Sequence, residues 1–232
     1  MRKSLLGIAT AVFTAAAMAT AGPAGASGLT ILAQYNLDEP TGSTVLVDSG
    51  PNAINGTIGT HVVLNSSNHN FPYVPGGIGG TVDPQHLDVV PANNLLNPGT
   101  GNFMVSFRIN FTLPVGNVMQ KGQSGTVGGF WKVQADDGQG KIACSFVSPT
   151  GSASVWSAGT LNDGAWHTVT CTRTPTSVTV AVDGTSRTIN HTTGSIANTW
   201  PLSIGGKTKC DQITVFCDYF HGEVDDVLIQ SF

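Results

Sequence analysis

The chain has 232 residues, and only 10% of them are charged, against roughly 25% in an average globular protein. Ten Lys and Arg face fourteen Asp and Glu, for a net charge of −4, with no basic cluster beyond Arg2 and Lys3; that balance excludes a nucleic-acid partner recognised through a basic patch. A content of 40% hydrophobic residues is too apolar for a charge-driven disordered tail, and 29 glycines suit a turn-rich all-β chain.

Residues 1–26 read as an export signal. Arg2 and Lys3 form the positive start, Leu5 to Ala19 is an uncharged apolar run, and Ala24-Gly25-Ala26 offers the small residues a signal peptidase reads. Cleavage after Ala26 is expected, with Ala19-Thr20-Ala21 as a second possible site. The remainder, 27–232, is expected to be one secreted domain. No later segment approaches the ~18 apolar residues of a membrane-spanning helix, so no span is expected after processing.

Period-2 alternation then runs along the chain. Strand-like stretches fall at 30–37, 61–64, 87–90, 103–111, 117–120, 129–134, 141–147, 154–157, 166–173, 178–182, 186–190, 201–204 and 219–230. The clearest is the third of the way in, where Phe103, Val105, Phe107, Ile109 and Phe111 alternate with Met104, Ser106, Arg108 and Asn110. That is one buried face and one polar face. Asp163-Gly164 and Asp183-Gly184 mark hairpin turns. Residues 91–96 allow one short helical turn. About thirteen strands are too many for one open sheet, so two packed antiparallel sheets are expected.

The four cysteines allow three pairings. The short gap between Cys210 and Cys217 favours joining those two. Cys144 then pairs with Cys171, each in a strand-like run. No Cys-x-x-Cys pair supports zinc instead.

The stretch Leu161-Asn162-Asp163-Gly164-Ala165-Trp166-His167, followed by Val182-Asp183-Gly184, resembles the signature hairpin of laminin G-like domains. Tyr35-Asn36-Leu37-Asp38-Glu39 with Asp48-Ser49-Gly50 resembles the opening of that family. Pro201-Leu202-Ser203-Ile204-Gly205-Gly206 and Gly222-Glu223-Val224-Asp225-Asp226-Val227 resemble its closing strands. The resemblance implies an all-β, concanavalin A-like jelly roll, and the chain is most similar to secreted bacterial members, many of them actinobacterial. It also implies Ca²⁺ held by aspartates and carbonyls, with Asp38, Asp48 and Asp225 as candidates (or Asp226 beside it). Trp166 is expected to fill the core near its hairpin, and His167 to be hydrogen-bonded or solvent-facing.

The same fold carries lectins, hydrolases, lyases and adhesion modules, so the residues must decide. Hydrolysis of a glycoside normally takes two carboxylic acids. The nearest match to the Glu-x-Asp-x-x-Glu strand of related glucanases is Glu223-Val224-Asp225-Asp226-Val227-Leu228, where Leu228 replaces the last Glu. The lyase runs Arg-x-Glu-x-Arg and Gln-Ile-His are absent, as is a Gly-x-Ser-x-Gly elbow. The expectation is therefore a non-enzymatic module that binds an extracellular glycan or cell-surface protein. Arg108, Gln120, Lys121, Trp131 and Lys132 are its candidate contacts, combining cation, amide and indole. An atypical carbohydrate-active enzyme and a structural or adhesion protein are the alternatives.

Overall fold

The computed structural model describes residues 28–74, 84–135, 138–209 and 218–232. The export signal and Cys210 and Cys217 of the sequence reading lie outside these residues. In chain order the strands are β1 (Thr30–Tyr35), β2 (Val45–Leu46), β3 (Gly56–Ile58), β4 (Val63–Leu64), β5 (His69–Phe71), β6 (Asp88–Val90), β7 (Phe103–Asn110), β8 (Asn117–Lys121), β9 (Phe130–Gln134), β10 (Ala143–Ser148), β11 (Gly151–Trp156), β12 (His167–Thr174), β13 (Ser177–Val182), β14 (Thr185–Asn190), β15 (Leu202–Ile204) and β16 (Gly222–Ser231). Two 3₁₀ turns, Pro84–His86 and Asn94–Leu96, are the helical elements among the described residues. None is long and apolar enough to cross a membrane.

Two eight-stranded antiparallel sheets result. The first runs β14-β13-β12-β7-β16-β5-β4, with β1 also paired to β16; the second runs β11-β10-β9-β8-β15-β6-β3-β2. This is the all-β sandwich of two antiparallel sheets expected from alternation, with the concanavalin A-like layout that the resemblance implies. β7 illustrates the cause. Its Phe103, Val105, Phe107 and Ile109 are buried, while the intervening Met104, Ser106, Arg108 and Asn110 are half-exposed. A strand of period 2 with one apolar face can rest only against a second apolar face.

β16 sits inside the first sheet, pairing with β7 along its length, with β5 at its start and with β1 at its end. A bulge between Asp225 and Leu228 breaks its register, with Asp226 at φ 50°. The bulge restores inward-facing Val227 and Ile229 after inward-facing Val224, all fully buried.

Two links hold the layers together besides apolar packing. The Cys144–Cys171 disulfide joins β10 of the second sheet to β12 of the first, with the Cα atoms 5.6 Å apart. At the other side of the sandwich, His69 of β5 reaches Asp88 of β6 (Nδ1 to Oδ2, 2.6 Å) and Glu39 of the β1–β2 connection (Nε2 to Oε2, 2.9 Å). His69 and Asp88 are fully buried and Glu39 nearly so. Burial pulls the His69 pKa down, but its bonds to the two carboxylates outweigh that and raise it to about 9. The triad is thus an imidazolium of one sheet clamped between an acid of the other sheet and an acid of a loop.

Candidate functional site

The outer face of the second sheet carries a cross-strand row set by the ladder registers. Ser154 lies opposite Ser145, Ser145 opposite Lys132, Lys132 opposite Gln120, Gln120 opposite Ser203, and Ser203 opposite Val89. Each points outward because its strand neighbours, such as Cys144 and Phe146, Trp131 and Val133, or Leu202 and Ile204, fill the core. In the middle of this row lies a cavity of about 280 Å³ lined by Gln120, Gln123, Ser124, Phe130, Lys132, Lys207 and Asp218.

The polar groups here are held in place by their neighbours. The buried Asn117 donates from Nδ2 to Gln120 Oε1 (3.0 Å) and to Asp218 Oδ2 (3.2 Å). With its oxygen occupied, Gln120 has its Nε2 amide as the donor to offer. Lys207 Nζ pairs with Asp218 Oδ2 at 2.7 Å. Gln123 Oε1 is buried and has no hydrogen-bond partner, and neither has Asn117 Oδ1. An unpaired buried acceptor costs free energy unless something donates to it. The arrangement offers donors (Gln120 and ammonium groups) and an acceptor (Gln123) beside the half-buried Phe130 ring.

The loop that carries Gln123 and Ser124 depends on glycine. At Gly128 (φ 84°) a Cβ would stand 1.8 Å from the Ala197 carbonyl oxygen, and at Gly129 (φ 84°) 2.1 Å from that of Val147. Only glycine lets the loop lie this close to both backbones.

The candidate contacts divide between surfaces. Gln120 and Lys132 meet at the cavity. Lys121 and Trp131, expected at the ligand face, are instead turned inward by strand parity. Lys121 is fully buried, and its ammonium donates to Asn198 O (3.0 Å), Asn198 Oδ1 (3.2 Å) and Trp200 O (2.8 Å). Burial lowers its pKa to about 8. Trp131 is 1% exposed, stacks at a tilt on Phe103 and donates from Nε1 to Leu96 O at 3.0 Å. Both fasten loops to the core. Arg108 lies on the outer face of the other sheet, paired with Asp225 (2.8 Å) and 4.8 Å from the Trp166 ring centroid. Trp166 therefore does not fill the core as expected; it is half-exposed, beneath a guanidinium. The sequence reading did not single out Gln123, Lys207 or Asp218. Gln123 sits next to the highlighted Gln120-Lys121-Gly122, which was the available signal.

His167 bonds Asp183 Oδ2 (2.7 Å) and Asp163 Oδ1 (3.1 Å). Partial burial lowers its pKa, but these two bonds more than compensate and the net shift is upward. The three side chains tie the two Asp-Gly turns together.

The residues suggested for Ca²⁺ do not suit one. Both carboxylate oxygens of Asp48 face N–H donors: Oδ1 accepts from Gln34 and Gly50 (2.8 Å each), and Oδ2 from Ile54 (2.7 Å). Donors that fix an anion occupy the directions a cation needs. Asp225 is committed to Arg108, and Asp38 is exposed. Among the described residues, no three His, Cys, Asp or Glu side chains are placed to share a metal ion.

A sandwich with a polar cavity on a sheet's outer face is the architecture of many binding domains. Residues 85–231 match the family profile of the Concanavalin A-like lectin/glucanases superfamily, and the chain belongs to that family, as a laminin G-like member. No curated protein sequence matches the chain. Among solved structures it is similar to the binding domain of Paraclostridial Mosquitocidal Protein 1 (13% identity, TM-score 0.62, covering 87% of this chain and 49% of that one). It is similar to the binding domain of Botulinum neurotoxin DC in complex with rat synaptotagmin II (13%, 0.59, 86% and 48%). It is also similar to Domain 4 of AbnA, a GH43 extracellular arabinanase from Geobacillus stearothermophilus, in complex with arabinotriose (14%, 0.57, 88% and 93%). The chain thus spans about half the length of the toxin binding domains and nearly all of the arabinanase domain. At these identities the likeness is one of fold.

Proposed function

We propose that the protein is a secreted, non-enzymatic binding module that docks an extracellular glycan in the cavity around Gln120, Gln123 and Lys132. The observation that carries this reading is the mixed set of donors and acceptors on a rigid sheet, including the unpaired Gln123 Oε1. Sugar hydroxyls both donate and accept, and such a set matches them better than it matches an apolar or purely charged ligand. The Lys207–Asp218 pair adds polarity to the lining. Phe130 provides an apolar wall for a sugar face. That the arabinanase Domain 4 is described in complex with arabinotriose supports a glycan, and that a toxin binding domain is described in complex with synaptotagmin keeps a protein ligand in view. Among the described residues that line the cavity the carboxylate is Asp218, held by Lys207, and no second acid stands beside it for hydrolysis through a pair.

A glycan array with the purified protein, followed by calorimetry on the best hit, tests the proposal. Gln120→Ala and Lys132→Ala should each weaken binding about tenfold, in line with about 1.4 kcal/mol for one hydrogen bond to a polar ligand, while Arg108→Ala should leave it unchanged. A blank array, with a protein recovered by pull-down and lost with Gln120→Ala, would transfer the site to a protein partner. Unchanged affinity in both cavity variants would reject the site.

A further inference from the structure

We propose that His61 and His86 form a two-imidazole site for a borderline divalent transition-metal ion, of the copper, nickel or zinc kind. The site is remote in function from the glycan cavity and does not rest on it. His61 lies in the turn that follows β3, and His86 ends the first 3₁₀ turn. His61 Nδ1 stands 3.2 Å from His86 Nε2. His61 is exposed and His86 half-buried, so an ion has access from solvent.

The ring geometry lets one ion take the place of the proton the two rings share. Two rings whose nitrogens pointed straight at one another across 3.2 Å would have centroids a full ring diameter further apart. The centroids are only 4.5 Å apart, with the planes at 54°. At least one of the two nitrogens is therefore inclined to the line between them; without an ion, one imidazole donates to the other across it. A third atom off the line suits an inclined lone pair. With metal–nitrogen distances of 2.0–2.1 Å, a separation of 3.2 Å subtends about 100° at the ion, between the tetrahedral and square-planar values.

The two segments are also pinned to each other. His61 N–H donates to Gln85 O at 2.8 Å, and Thr60 Oγ1 donates to Gln85 Oε1 at 3.0 Å. His86 packs at a tilt on Tyr219, centroids 5.2 Å apart. These contacts hold both imidazoles before any ion arrives, which lowers the ordering cost of binding. Neutral imidazole is a ligand for zinc, copper and nickel, whereas calcium and magnesium take oxygen. Water would complete the coordination.

The full chain is titrated with Cu²⁺ under calorimetry, and the copper signal is read by electron paramagnetic resonance. The expected result is one saturable equivalent with two nitrogen ligands. His61→Ala and His86→Ala should each weaken it at least tenfold, and the double variant should abolish it. His167→Ala, at the histidine held between two aspartates, should leave it unchanged. Circular dichroism identical to the parent chain verifies that the variants fold; should one fail to, Zn²⁺ addition to the parent chain must still raise its melting temperature. Absence of a saturable equivalent in the parent chain, or a double variant within threefold of it, would overturn the assignment.

Discussion

Replacing His69 by Leu removes the positive centre of the buried Glu39–His69–Asp88 triad and tests whether that triad joins the layers. Two magnitudes apply. Removing one partner of a buried ionic group leaves the others uncompensated, at a cost of roughly 3–5 kcal/mol. Independently, a rise of the His69 pKa from 6.5 to about 9 corresponds to about 3 kcal/mol at 1.36 kcal/mol per unit. The sign follows from linkage. His69 is raised, so its contribution is complete below pH 6.5 and is lost as pH rises through about 9. Glu39 acts in the opposite direction. Burial pushes its pKa up, but bonds from His69 and the Val47 amide prevail and lower it, so its contribution is lost as pH falls below 4.5. Asp88 is raised by its burial, so its ionised form detracts from stability and the imidazolium offsets that. Urea denaturation of parent and His69→Leu at pH 6, 8 and 10 gives the answer. The variant should lose about 3–5 kcal/mol at pH 6, or about 10 °C in melting temperature for a chain of this size. By pH 10 the gap should shrink by about 3 kcal/mol, because the parent has lost its own charge. A gap below about 1 kcal/mol at pH 6, or one that stays constant to pH 10, would refute the reasoning.

Two other perturbations address the links to the core. Opening the Cys144–Cys171 bridge, which spans a separation of 27 residues, should cost about 3.5 kcal/mol by the chain-entropy relation, measured as a fall in the urea midpoint of Cys144→Ala/Cys171→Ala with a slope no smaller than the parent's, because the opened chain is less compact when unfolded. Lys121→Met should destabilise by about 1–3 kcal/mol, because it leaves the Asn198 and Trp200 carbonyls without their donor, yet glycan affinity should not move; a loss of affinity with stability intact would return Lys121 to the ligand face.

The long strands were legible in the sequence because each repeats its pattern over five or more residues, as β7 and β12 do. β2, β3 and β5 have two or three residues apiece, too few for alternation to register; β5 forms on the edge of the long β16, while β2 pairs with β3, and β3 with the equally short β6. Losing β5 meant losing His69, whose partners come from 30 and 19 residues away; no local pattern carries that meeting. Trp131 and Lys121 were misplaced for a related reason. Both faces of β8 are covered, so a cation there says nothing about which side reaches solvent; Trp131 lies in β9 beside Phe130, and two adjacent aromatic residues leave the inward parity undecided in the sequence. Gln120 and Lys132 meet at the cavity because the β8–β9 register sets them opposite one another, on the side away from Met119, Trp131 and Val133. For Trp166 the turn before it was read correctly, but the partner waiting on the sheet's outer face, Arg108, lies 58 positions away and gave no sign.

The position of β16 governs when the fold can exist. β16, the strand furthest along the sequence, occupies the centre of its sheet, with β7, β5 and β1 hydrogen-bonded to it. Until residues 222–231 arrive, β1 has no strand to lie against, the β4–β5 pair has no link to β7, and the layer is in three parts. Assembly is therefore late and nearly all at once, governed by contacts between distant stretches, which is the slow regime of folding. A polypeptide built this way stays threadable until residues 222–231 have been made.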